Sequence, residues 1–185
     1  MNHLCNVCPL MQHRSVLGTR AEHAPMSLTS EQINLIFDQL QRDGATDAYD
    51  AAVVSCETGM RLGEIVRLRP EDWLVEWPKP ASADRQTRGW RDIRLTNRAS
   101  RVLSERQVRF GRLFGSECDP DATAHMIANA FAQAARRAGI QRARFQALRL
   151  SYAQKWLKAG MSLCQLNRIM GLNLSCPSFR SPSEN

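Results

Sequence analysis

Five glycines cut this chain into short helical runs, and that punctuation limits what it can fold into more than any other feature. Gly44, Gly59, Gly139, Gly160 and Gly171 each stand at a helix end, and at Gly59 a residue without a Cβ takes the left-handed cap at little cost. Thr29-Ser30-Glu31-Gln32 is a capping box that launches Ile33, Ile36, Phe37 and Leu40 on one face, and Asp43-Gly44 ends that helix. The run from Ala48 to Thr58 carries Ala51, Val53, Val54 and Cys56 and stops at Gly59, and a further helix is expected from about Arg61 to Arg67. From Asn97 to about Leu113, Ala99, Val102, Leu103, Phe110 and Leu113 keep helical spacing, with Arg98, Arg101, Arg109 and Arg112 on an adjoining face. Arg106 intrudes on that stripe and Gly111 weakens it. Phe114-Gly115 to Asp121 reads as a loop. Ala122 to Ala138 is a helix with Ile127, Phe131 and Ala134 inward, a further helix ends at Ala159-Gly160, and Ser162-x-x-Gln165 caps a short last one ending at Met170-Gly171. Only Trp73 to Trp77 and Arg91 to Leu95 alternate as strands do. The expectation is a mainly α (α+β) domain with a small antiparallel sheet.

A chain of 185 residues is one domain with a sizeable core. Residues 1–27 show no sustained period and read as a poorly ordered arm, 28–174 as the folded domain, and 175–185 as an irregular tail. No apolar run approaches a membrane span and no signal peptide opens the chain, so a cytoplasmic location is expected. The six cysteines are scattered, as reduced thiols are. Cys5-x-x-Cys8 lies near His3 and His13 but lacks a second cysteine pair, and no metal is expected.

The net charge of +7 is unevenly spread: residues 30–76 hold four basic and ten acidic side chains, residues 77–185 nineteen and seven. Between Thr123 and Asn173 there are eight Arg or Lys and no Asp or Glu. Most are Arg, whose planar fork grips phosphate where Lys offers a point charge. So one-sided a surface repels itself unless it meets a polyanion, and nucleic acid is the first candidate. A membrane surface fits less well, since no helix pairs this charge with a broad apolar face.

Two arginines stand in patterned surroundings. Arg61 opens a helix, beside unpaired N–H groups and the positive dipole end, a place that suits a phosphate. A lone arginine there is more often a solvated surface residue. Thr58-Gly59-x-Arg61-x-x-Glu64, followed by Arg67-Leu68-x-x-x-Asp72, resembles the first arginine box of the tyrosine recombinases (phage integrases). The second match is Phe145-Gln146-Ala147-Leu148-Arg149-Leu150-Ser151-Tyr152-Ala153. The family there reads His-x-Leu-Arg-His-x-x-Ala, so Leu148, Arg149 and Ala153 match while Gln146 and Leu150 replace both histidines. Ala138-Gly139-Ile140 and Trp156-Leu157-x-Ala159-Gly160 also resemble the family's helix ends. Leu172 stands where it has His or Trp, and the register of its tyrosine nucleophile falls on Ser181, in a segment broken by Pro177 and Pro182.

The resemblance, from about Ser27 to Leu174, implies the helical catalytic core of DNA breaking–rejoining enzymes. It implies double-stranded DNA as partner, no membrane, no metal or nucleotide cofactor, and leaves self-association on DNA open. Arg61 and Arg149 are the implied phosphate clamp, and Glu64, one turn after Arg61, either orients it or forms an ordinary surface pair. Lys79 is the only lysine available for the family's hairpin proton donor. As a solvated loop lysine it joins Arg88, Arg91, Arg144 and Lys155 as expected DNA contacts. Of the two tyrosines, Tyr49 precedes the first box, and Tyr152 forms an i, i+4, i+8 stripe with Leu148 and Trp156, which reads as core. A DNA-binding domain without strand transfer is therefore expected. Two alternatives stay open: an active transferase with another nucleophile or one from a second subunit, and an unrelated helix-turn-helix regulator turning at Gly160.

Overall fold

The computed structural model describes residues 27–72, 93, 95–109, 111–115 and 119–171. The described elements are α1 (Ser30–Arg42), α2 (Thr46–Thr58), α3 (Leu62–Ile65), a 3₁₀ turn (Pro70–Asp72), α4 (Asn97–Ser104), α5 (Pro120–Arg137), α6 (Gln146–Lys158) and α7 (Leu163–Met170). The mainly helical class holds. Both expected strands, Trp73–Trp77 and most of Arg91–Leu95, lie outside the described residues, as do the tail and all of the arm but Ser27.

The fold is built around α2, which touches α1, α3, α4, α5 and α6. Its buried residues, Ala48, Ala51, Ala52, Val53, Val54, Ser55 and Thr58, point in every direction, as in a helix enclosed by others. Small alanines let several neighbours approach at once. Ile33, Ile36, Phe37 and Leu40 of α1, Leu103 of α4, Ile127, Phe131 and Ala134 of α5, and Leu148 of α6 close around it. Each fully buried large side chain there contributes about 1.5–3 kcal/mol. A second small cluster joins α6 to α7 through Tyr152, Leu166 and Met170. Leu28 is tied to α6, its N–H donating to Ser151 Oγ at 2.8 Å.

The caps follow the local signals. Thr29 and Gln32 exchange hydrogen bonds as a capping box, and so do Ser162 and Gln165. Gly59 and Gly171 close α2 and α7 in the left-handed region, at φ 71° and 59°. Gly59 is required twice over, because a Cβ there would lie 2.6 Å from Tyr152 Cδ1.

Two helices are shorter than their sequence spacing predicts. The one expected from Arg61 to Arg67 is a single turn, α3. Leu68, fully buried, accepts the N–H of Leu113 at 3.0 Å, and Arg69 precedes Pro70, which disfavours helix. The one expected from Asn97 to Leu113 ends at Ser104, because Arg106 leaves the helix to meet Asp47 and Asp50. Arg109 and Arg112 then exchange backbone hydrogen bonds of 2.9 Å around Gly111 at φ 72°. The four-arginine face expected on one helix is thus divided between α4 and this turn. Among the described cysteines, Cys56 is a free thiol, and Cys164 is disulfide-bonded rather than reduced.

Candidate functional site

Arg61 stands at the end of a tightly held turn. Thr58 Oγ1 donates to Val54 O at 2.6 Å and accepts from Met60 N, while Ser55 Oγ donates to Met60 O at 3.0 Å. Met60 is fully buried, so the backbone entering Arg61 is fixed on both sides. Arg61 itself is extended, at φ −75° and ψ 149°, and caps α3. Glu64 folds back on it: Oε2 accepts the Arg61 N–H at 2.6 Å, and Oε1 lies 3.4 Å from Nη1. Glu64 is buried, so it anchors the arginine from inside rather than forming a solvated surface pair.

Arg149 comes from the opposite direction, in the first turn of α6. Its side chain is buried, 3% exposed as a residue. Nη1 donates to Gly59 O, and Nη2 donates to Met170 O at 2.5 Å. Those carbonyls lie at the C-terminal ends of α2 and α7, so one guanidinium faces the negative ends of two helix dipoles. Arg61 Nη2 donates to the next carbonyl, Gly171 O, at 3.2 Å. Two arginines distant in sequence therefore meet on consecutive peptide units at the end of α7. No spacing rule signals that Met170 and Gly171 take part.

Among the described residues, the chemistry around this pair is sparse. Tyr152 is buried, its ring against Gly59 and at 6.2 Å, edge to face, from Trp156. Gln146 is exposed and Leu150 half-buried, and neither side chain transfers protons near neutral pH. Burial pushes the Cys56 thiol above its ordinary pKa, which makes it a poor nucleophile. Among the described residues no cluster of His, Cys, Asp or Glu could hold a metal ion.

Two sets stand out among the other described basic residues. Arg67, Arg98, Arg101, Arg106 and Arg137 pair with Asp121, Glu57, Glu105, Asp47 with Asp50, and Asp43 respectively. Arg142, Arg144, Lys155, Lys158 and Arg168 are exposed, and no ion pair holds them among the described residues. Two expected DNA contacts, Arg144 and Lys155, fall in this second set. The other three, Lys79, Arg88 and Arg91, lie outside the described residues. The turn at Gly160 is present, at φ 88°, but Arg168 is the only basic residue of α7, which is little for a helix reading a groove.

The sequence matches no protein-family model and no curated protein. Among solved structures the fold is similar to that of the XerA recombinase, with a TM-score of 0.61 at 18% identity over 82% of this chain and 58% of that one. It is also similar to the Tn1549 transposon integrase in complex with circular intermediate DNA, with a TM-score of 0.56 at 16% identity over 83% of this chain and 60% of that one. The chain thus spans somewhat less than two thirds of either relative. The likeness shows a shared fold, the helical core of tyrosine recombinases. No described helix is long and apolar enough to cross a membrane.

Proposed function

We propose that this chain binds double-stranded DNA through the unpaired basic residues of α6, α7 and the turn before α6, with Arg61 and Arg149 at a backbone phosphate. The observation that carries the proposal is the meeting of the two arginines at the end of α7, within a fold shared with DNA recombinases. Support comes also from the Tn1549 integrase, whose structure holds circular intermediate DNA, and from the tract without acids over residues 123–173. Arg61, one-third exposed, can turn its fork toward two phosphate oxygens, while Arg149, whose terminal nitrogens serve Gly59 O and Met170 O, adds its positive charge from within the fold. The backbone phosphates are common to all sequences, so the binding discriminates little between them.

The same residues argue against strand transfer by this chain alone. An arginine pair stabilises charge on a phosphoryl group only once a nucleophile attacks. Tyr152 is packed beneath Gly59 and cannot reach a phosphate without unwinding α6. A serine hydroxyl would need a base, and Gln146 and Leu150 stand where the family has its histidines. Lys79 remains the one candidate proton donor at the expected hairpin.

Duplex affinity measured against salt tests the proposal. Binding is expected at low salt, with log K falling by roughly 0.9 per neutralised phosphate for each unit of log salt. A nicked suicide duplex is expected to yield no protein-linked DNA on a denaturing gel. Absence of duplex binding at low salt, or a flat salt response, would refute the binding half. A covalent adduct would refute the other, and its loss in Tyr152→Phe would identify the nucleophile.

A further inference from the structure

Every left-handed residue in the described chain but one is a glycine: Gly44, Gly59, Gly111, Gly115, Gly139, Gly160 and Gly171 all have positive φ, and Arg142 joins them at φ 63°. A side chain with a Cβ is strained there, and strain of this kind persists where the surroundings enforce it, often at a functional position. The surroundings do enforce it. Ile140, Ala143 and Phe145 are all buried, and Phe145 packs edge to face on Phe131 at 5.4 Å. Ile140 N–H donates to Ala135 O at 2.8 Å, and Ala147 N–H to Arg144 O at 2.8 Å. The chain between α5 and α6 is therefore pinned at both ends, and Gln141, Arg142 and Arg144 face outward, exposed.

A glycine would satisfy this backbone better. Nothing in the described structure offsets the strain through the arginine side chain, which makes no hydrogen bond or ion pair there. Nearby Arg137 differs, since Asp43 holds it at 2.7 Å. Arg142 and Arg144 are both exposed on the turn, and no anion meets either of them among the described residues.

We infer that Arg142 is a backbone-phosphate contact for duplex DNA, part of a second contact point on the α5–α6 turn, separate from the Arg61–Arg149 pair. The inference rests on the DNA-binding reading. The left-handed backbone projects the guanidinium off the turn, where its fork can take two oxygens of one phosphate, with Arg144 beside it for the neighbouring one.

Arg142→Gly separates folding from binding, because it removes the strain together with the charge. The variant is expected to unfold in urea at the same or a higher midpoint than the unsubstituted chain. Its affinity for a duplex of mixed sequence is expected to fall roughly 5–10-fold at 0.1 M salt, with the slope of log K against log salt smaller by about 0.9. Arg142→Asn, which tolerates the left-handed region, is expected to behave likewise. Arg137→Gln is the comparison, and it should change the slope less. Unchanged affinity and slope in Arg142→Gly, while the unsubstituted chain binds DNA, would overturn this inference alone. A lowered urea midpoint would also overturn it, by giving Arg142 a role in the fold. No DNA binding by the unsubstituted chain would instead bring down the DNA-binding reading beneath it.

Discussion

Arg149→Met is expected to bring this domain close to unfolding. The guanidinium is buried and serves Gly59 O and Met170 O, and an apolar replacement leaves both carbonyls without that donor. At about 2 kcal/mol for each buried acceptor, the loss is about 4 kcal/mol. Small domains of this kind are stable by only about 5–15 kcal/mol. Arg149→Lys is expected to recover part of the loss, since an ammonium restores the charge but cannot span two carbonyls as a planar fork does. Urea unfolding of the three proteins measures this. A midpoint in Arg149→Met equal to that of the unsubstituted chain would show that the guanidinium does not join α2 to α7.

Arg106→Met is expected to cost about 3–5 kcal/mol, because it removes the cation from a largely buried pair with Asp50, the partly exposed Asp47 adding little. Arg106 donates to Asp50, Asp47 and Leu113 O, and its guanidinium lies 4.2 Å from the centre of the Phe114 ring. Burial, only partly offset by Arg106, already holds the Asp50 carboxyl above the ordinary carboxylate range, with Asp47 and Glu105 adding repulsion. A raised folded-state pKa means that the native state binds more protons than the unfolded chain between the ordinary and the raised value. Stability therefore falls as pH rises through that window. Removing Arg106 pushes the pKa further up and extends the window. The deficit of Arg106→Met is accordingly expected to be largest near neutral pH and to narrow on acidification. A deficit that does not change with pH would place the loss in packing on Phe114 rather than in the uncompensated Asp50 charge.

These two arginines also mark where sequence stops being legible. Helix starts and stops were readable because their causes are local: Thr29 with Gln32, Ser162 with Gln165, and the left-handed glycines act within a few residues of themselves. The burial of Tyr152 was readable too, from its stripe with Leu148 and Trp156. Arg106 was readable only as an interruption of a stripe, because the acids that draw it inward lie on α2, more than fifty residues earlier. The shortening of α4 follows from that distant pairing. Arg149 showed the same limit. Its box was recognisable, but nothing local signalled that the ends of α2 and α7 would both turn their carbonyls on it. Arg142 left no trace in periodicity or motif, since a backbone angle forced by Ile140, Ala143 and Phe145 packing inward has no composition of its own.

The role of Arg149 in holding the fold makes Arg61 the better probe of the proposed phosphate site. Its side chain is one-third exposed, and it is held by Glu64 and Gly171 O at the margin of the core. Glutamine at this position keeps an amide donor and removes the charge. The most direct measurement is the salt dependence of duplex DNA affinity for Arg61→Gln beside the unsubstituted chain, with matched urea midpoints as the control for folding. A phosphate between Arg61 and Arg149 predicts binding weaker by roughly tenfold at 0.1 M salt and a slope smaller by about 0.9. Equal affinity and equal slope in a folded Arg61→Gln would contradict it, and would leave the arginine pair as a fastening between helices and nothing more.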